Sequence, residues 1–484
     1  MKLFDFLKRK KKPTRRRSYE AGAINRLLNN WTTTPKTADE AIKGNLRNMR
    51  ARSRDLSRNN DYARKYGEMV KTNVVGTNGI VMQSKAKRPD GTFDKLDNES
   101  IEKAWKLWGR KPNCSVNGKL SWIDTQRCVV ETVARDGEIL IRKVRGADNP
   151  FGYALQLIEC DHLDEDLNKE LQGGNRIKMG VEINQWEKPV NYWLLQSHPG
   201  ENTTSFLGKH YNKIPAEDII HLFVTNRPGQ TRGVPWIASA MTRLHQLGEY
   251  EEAEVVAARV SACKMGFFKP DSGGEGYIGD DVDSMGNTVS EAAPGTMELL
   301  PPGMDFQSFD PNHPSGNFSP FVKSTLRGIA SGLNVSYNSL ASDLEGVNFS
   351  SIRSGVLEER QNWRMVQSWL IEHFHQDVYL EWLRLAFING QLGSIPQQRF
   401  DKFSTPKWQA RGWEWVDPLK DAKANLQEIQ MGTKSRSDVL AEKGKDIEEV
   451  FDQLKAEADM AERVGIDINQ VNPLIEEMAN EQDN

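Results

Sequence analysis

The sequence predicts an α+β fold: a multi-domain subunit with long helices and one small β-hairpin insertion. Three observations carry that expectation. Short β-branched runs alternate with amphipathic stretches through the first half of the chain. From Phe349 a helical period continues without proline to Ile388, roughly 40 residues and ~60 Å if unbroken. Between two helical stretches lies Pro270 to Asp310, with nine carboxylates and no Lys or Arg.

In order, the chain opens on Lys8-Arg-Lys-Lys-Lys12 and Arg15-Arg-Arg17, which cannot pack a core and are expected to be disordered or to fold against an anion. Residues 1–54 carry 16 Lys/Arg against 4 Asp/Glu, and the remainder 48 against 63, so a basic arm precedes an acidic body. Residues 53–58 open a helix through Tyr62, Tyr66, Met69 and Val70. From Asn73 the texture changes to Gly-rich strand and turn, covering residues 74–81. Residues 101–108 and 123–135 read as helices. Residues 138–144, 153–158, 180–183, 192–195 and 218–223 read as strands.

Arg227 to Trp236 is a turn-rich hinge that delivers the chain into a helix from Trp236 to about Lys264. The acidic insertion follows. Met297-Glu-Leu-Leu300 and residues 304–309 read as a hairpin around Pro301-Pro-Gly303. Ser319 before Pro320 is a helix-start pair, placing a helix from Pro320 to about Ser331. Gly332 and Asn334 favour a turn, and residues 343–348 read as an exposed loop before the long helix. Residues 408–418 form an aromatic loop, and the remaining sequence is helical and mostly acidic.

Composition and motifs exclude several classes of function. No apolar run approaches the ~20 residues needed to span a bilayer, so no membrane role is expected. Met1 to Leu7 is too short for a signal-peptide core. Cys114, Cys128, Cys160 and Cys263 are widely spaced, as expected of reduced cysteines in a cytosolic setting. Gly274-x-Gly276-x-x-Gly279 matches a dinucleotide fingerprint only as a string, because Asp280, Asp281 and Asp283 follow where a phosphate would sit. Met285 and Ala292 occupy positions where a calcium loop needs oxygen ligands. His373 and His375, two apart, point to different sides of a helix and make a poor metal pair. No constellation carries catalysis, and no cofactor is expected.

The order of pieces resembles the lambda-type family of tailed-bacteriophage portal proteins, the head-tail connectors. The stretches that carry the resemblance are 53–60, 232–236, 299–305, 332–340, 348–354 and 411–418, which span nearly the whole chain. The resemblance implies a homo-oligomeric ring, a dodecamer, at one capsid vertex, serving as channel for DNA packaging and ejection. It implies residues 1–50 as a flexible basic arm, 51–233 as an α+β wing, 234–264 and 318–338 as stem helices, and 265–317 as an acidic clip. It further implies a tunnel loop at 339–348, the long helix at 349–390 and a helical crown at 391–484. The implied partners are further copies of the chain, double-stranded DNA, the terminase large subunit, and capsid and head-completion proteins. The implied location is the virion, with assembly in the host cytoplasm.

Within that mapping Asp343, Leu344, Glu345, Gly346, Val347 and Asn348 are the channel loop, anchored at both sides with its middle free. Lys323, Arg327 and Arg353 flank it and are the candidates to face DNA; the competing reading for them is interfacial ion pairing. Asp280, Asp281 and Asp283 are the candidate terminase contacts. Two other classes remain open: a cytosolic enzyme with an unrecognised site, and a DNA-binding capsid scaffold protein using the basic arm.

Overall fold

The computed structural model describes residue 26, residues 32–201, 209–263, 266–270, 281–282, 288–289, 304–308, 316–345, 349–413 and 418–465. The fold begins before residue 50. Thr37 Oγ1 accepts the Glu40 amide and caps α1 (Ala38–Ile42). The Asp39 carboxylate in α1 accepts Thr231 N–H and Oγ1–H, both at 2.8 Å. In α2 (Leu46–Asn59), Leu46, Arg50, Ser53 and Leu56 recur at helical spacing and are buried. A flexible arm reaching residue 50 is therefore too long, because Arg50 lies in the interior.

Asn60 caps α3 (Asp61–Val70) by accepting the Ala63 amide at 3.0 Å. The helix then widens into a π-turn over Lys71–Val75 and stops at Gly76 with φ 70°. Val74 and Val75 thus bury themselves from a helical turn, not from the strand their β-branching suggests. Only β1 (Val81–Gln83) is extended there. Next come α4 (Lys95–Trp108), the short α5 (Lys111–Cys114) and α6 (Trp122–Asp136). A reciprocal cap between Ser121 and Asp124 starts α6.

Two antiparallel sheets follow. β2 (Glu138–Arg145) is the centre of a three-stranded sheet, flanked by β3 (Tyr153–Ile158) and by β9 (Ile219–Phe223). Between them in sequence lies a five-stranded meander: β4 (Lys169–Glu170), β5 (Arg176–Lys178), β6 (Val181–Ile183), β7 (Pro189–Leu195) and β8 (Tyr211–Pro215). The meander closes over a small second core, where Val181, Ile183, Tyr192, Leu194 and Ile214 meet Leu140 of β2 and Ile219 of β9. The first half is α+β as expected.

The hinge into the helical half is held by backbone proximity. Gly137 ends α6 with φ 90°, and a Cβ on it would meet the Val234 backbone; a Cβ on Gly233 would collide with the Gly137 carbonyl. After the hinge, residues 236–240 are turns, so α7 (Met241–Cys263) begins later than Trp236. In the acidic insertion β10 (Gly266–Pro270) pairs antiparallel with β13 (Met304–Ser308), and β11 (Asp281–Val282) pairs with β12 (Thr288–Val289). The expected strand at 304–308 exists, but it pairs with the segment that enters the insertion. Met297 to Leu300, its expected partner, lies outside the described residues.

Helix α8 (Phe318–Gly332) starts two residues before the expected Pro320: Asn317, not Ser319, is the N-cap, and no side chain caps the end. Pro320 sits in the first turn, where its missing N–H costs nothing. The short α9 (Tyr337–Ala341), capped by Ser336, leads to the loop. Beyond it α10 (Phe349–Leu370), a π-turn at Ile371–His375, and α11 (Gln376–Ile388) make one continuous rod. The last elements are α12 (Phe400–Phe403), β14 (Lys407–Gln409), α13 (Pro418–Gln430), α14 (Arg436–Glu442) and α15 (Ile447–Val464). The expected aromatic loop at Trp408 is in part strand, because β14 pairs with β1 across more than 300 residues of sequence.

The rod is fixed to α4 and α6 by aromatic packing. Trp382 on α11, Trp105 and Trp108 on α4 and Trp122 on α6 interlock, with Trp105 and Trp382 centroids 4.9 Å apart and edge to face. Tyr379 and Phe374 complete the cluster. Trp363 and Trp382 are core residues, while Trp369 is partly buried.

Candidate functional site

The channel-loop candidate lies where α8, α9 and α10 meet. Two turns set its approach: Asn334 and Ser342 both adopt left-handed backbone, with φ 55° and 53°. Glu359 on α10 accepts the Ser336 amide and the Trp363 indole N–H, both at 3.1 Å, which docks the α9 cap on the rod. Asp343 then accepts Tyr337 Oη–H at 2.7 Å and the Glu345 amide at 2.9 Å. Lys323 on α8 reaches across to Glu345 at 2.9 Å and Asp343 at 3.3 Å.

This arrangement titrates as its geometry demands. The Tyr337 hydroxyl, the Glu345 amide and Lys323 hold the Asp343 carboxyl below its ordinary range. Glu345 and Asp343 raise Lys323 in turn. The described part of the loop is therefore tethered rather than free through to its middle. Leu344 still projects, 67% exposed. Gly346, Val347 and Asn348 lie outside the described residues.

The three basic candidates do not form one group. Lys323 is committed to the loop, and Arg353 on α10 pairs with Asp421 of α13 at 2.7 Å. Both pairs lie within one chain, so neither needs a second subunit. Arg327 is exposed; its guanidinium lies 5.4 Å over the Tyr337 ring, and no carboxylate pairs with it among the described residues. In the acidic insertion Asp281 begins β11, while Asp280 and Asp283 lie outside the described residues.

No catalytic or metal centre forms among the described residues. Glu159, Asp161 and His198 come together with metal-ligand atoms, but Arg54 already sits among them, 2.5 Å from Asp161 and 3.9 Å from Glu159. A guanidinium there repels a cation. Burial pushes the Cys114 thiol up to about 12 and raises Cys128 and Cys160, which leaves them poor nucleophiles. His375 is buried with Nδ1 on the Leu370 carbonyl, and burial holds it down at about 4.

One cluster has no counterpart in the sequence reading. Glu138 of β2 is fully buried, and four groups donate to it at 2.6–2.8 Å: Arg232, Arg50, His221 and the Gly233 amide. Arg232, also fully buried, spends its remaining donors on the carbonyls of Cys160, Leu163 and Met179. Burial alone would raise Glu138, but Arg232, His221 and Arg50 outweigh it and hold the carboxylate far below its usual range. Burial keeps His221 down, so its imidazole donates as a neutral group. The cluster ties α2, β9 and the hinge to one charge on β2. Its signal in the sequence was a hinge arginine beside two glycine contacts, with no local cue to its partner.

The model of the family described as phage portal protein, lambda family, matches residues 25–367. The chain is 38% identical over 462 residues to a probable portal protein of Halomonas phage phiHAP-1, covering 94% of this chain and 89% of that one. It is 22% identical over 466 residues to portal protein B of Escherichia phage lambda, covering 88% and 86%. Among solved structures it is similar to the neck of an empty gene transfer agent particle computed with C6 symmetry. There the TM-score is 0.42 at 13% identity, over 81% of this chain and 92% of that one.

Proposed function

The chain belongs to the lambda family of phage portal proteins, and on that premise we propose that it closes into a dodecameric ring at one capsid vertex. The ring is the channel through which the terminase packages double-stranded DNA and through which the genome later leaves. The single observation that carries this reading is the loop at Asp343–Glu345, braced by Lys323 at the head of a 40-residue rod. A tethered loop on a stiff strut is suited to project into a channel and press on what passes, without chemistry. The wing, clip and crown then correspond to residues before 234, to 265–317 and to the helices after 391.

Charge supports the reading. A duplex carries one negative charge per ~1.7 Å, so an acidic lining keeps it mobile while sparse cations hold it loosely. Because Lys323 and Arg353 are neutralised within their own chain, Arg327 is the candidate for such a girdle. The acidic insertion is a surface for a basic partner such as the terminase, and head-completion proteins would follow at the same place. No described constellation supports the enzyme alternative.

Class averages by electron microscopy and native mass measurement of the purified chain test the proposal. Closed rings with a central hole are expected. Monomers or dimers alone at micromolar concentration, across several salt conditions, would overturn it.

A further inference from the structure

A second cationic cluster lies on α10, where no salt bridge to a carboxylate forms among the described residues. Arg360 and Arg364, one helical turn apart, both lie over the Trp413 indole, 5.9 and 5.8 Å from its centre. The buried Nε of Arg360 has no hydrogen-bond partner among the described residues. Among the described residues Arg364 hydrogen-bonds only the Gln361 side chain, at 3.5 Å. Burial, with Arg364 and Arg411 close by, lowers the basicity of Arg360 and outweighs Asp421 and Glu359. The neighbouring Lys434 is by contrast paired, with Glu442 at 2.8 Å. A recess of about 240 Å³ opens over the two arginines, edged by the exposed Leu357.

The chain also carries a helix suited to that recess. α15 is exposed from Phe451 to Met460, with Phe451 and Leu454 half exposed and Met460 65% exposed. Ile447, Phe451, Leu454, Ala458 and Ala461 recur at helical spacing as one apolar stripe, and Glu457 and Glu462 fall on its two flanks. Residues 446–484 hold 12 Asp/Glu against 2 Lys/Arg. The start of α15 is pinned elsewhere on its own chain: Asp446 and Glu448 bind Lys85 at 3.2 and 3.0 Å. No residue of α15 lines the recess.

We propose that α15 of one copy packs across this recess on the next copy, with Glu457 and Glu462 supplying carboxylates to Arg360 and Arg364. The inference rests on the ring reading, because a contact between two unlike surfaces of the same chain is what closes a ring. A carboxylate fits the recess better than a DNA backbone does. At about 240 Å³ the recess admits a side chain and not a duplex, and its wall carboxylates Asp421, Glu428 and Glu442 are already paired with Arg353 or Lys434.

The test uses two full-length charge reversals, Arg360→Glu/Arg364→Glu and Glu457→Lys/Glu462→Lys, with circular dichroism confirming that each folds. Ring formation is followed by native mass spectrometry against protein concentration and salt. Each reversed chain alone should need at least tenfold more protein than the parent to reach half assembly. Mixed in equal amounts they should recover rings, since every alternating interface then pairs opposite charges. If Glu457→Lys/Glu462→Lys assembles like the parent, or if the mixture gives no recovery, the inference is wrong. If that helix variant is silent while the arginine variant loses retention of duplex DNA, the recess holds a phosphate instead. A parent chain that never forms rings would instead overturn the ring reading itself.

Discussion

Replacing Arg232 by Met should cost about 4 kcal/mol of stability while leaving the surface unchanged. Arg232 is fully buried and donates to the Glu138 carboxylate and to three interior carbonyls. Removing one partner of a buried ion pair costs about 3–5 kcal/mol, because the other charge is left short of compensation. Glu138 retains Arg50 and His221, which softens that loss. The carbonyls of Cys160, Leu163 and Met179 lose a donor, each a penalty of about 1–3 kcal/mol that does not simply add. Met fills most of the volume, so little cavity cost is expected. Arg232→Lys should fall between, since one ammonium cannot meet a carboxylate and three carbonyls together. Urea unfolding of the unassembled chain, followed by tryptophan fluorescence, measures the loss. The double variant Glu138→Gln/Arg232→Met removes both charges and should lose about 2 kcal/mol less than the two single losses combined. A single Met variant within about 1 kcal/mol of the parent, or strictly additive losses, would refute the claim that this cluster holds the hinge.

Three further outcomes are expected. Burial holds His375 at about 4 in the folded chain against an ordinary 6.5. Between those values the unfolded chain therefore takes up the proton first, and stability falls as pH drops through that window, by about 3 kcal/mol at its limit. His375→Phe should flatten the urea midpoint between pH 6.5 and 4 relative to the parent, and parallel curves would contradict this. Deleting residues 344–347 behind a short Gly-Ser bridge should permit rings but impair packaging or retention of DNA; a variant that packages and retains full-length genomes normally would make the loop a mere connector. Changing Asp280, Asp281 and Asp283 to Asn should leave rings intact and slow terminase association most at low salt; equal association rates at low salt would remove the steering role.

What the sequence determined by itself is what local forces determine. Period-two runs placed the strand at Tyr153–Ile158, and period-three-and-four runs placed the rod from Phe349 to Ile388. Both rest on contacts within a few residues, which a linear pattern records directly. The same reasoning misplaced Val74 and Val75, whose β-branching points to a strand while packing against α10 keeps them in a π-turn. It could not say that Met304–Ser308 pairs with Gly266–Pro270, because backbone pairing carries no side-chain signature of its partner. Only the tertiary structure decided the roles of the charges. Lys323 and Arg353 look alike as free cations in the sequence, yet each is neutralised by a carboxylate 22 or 68 positions away. Glu138 and Arg232, 94 positions apart, become a buried ion pair between β2 and the hinge. An ion pair forms wherever the fold brings opposite charges within reach, and that reach is a property of folded distance, which charge order along the chain does not contain.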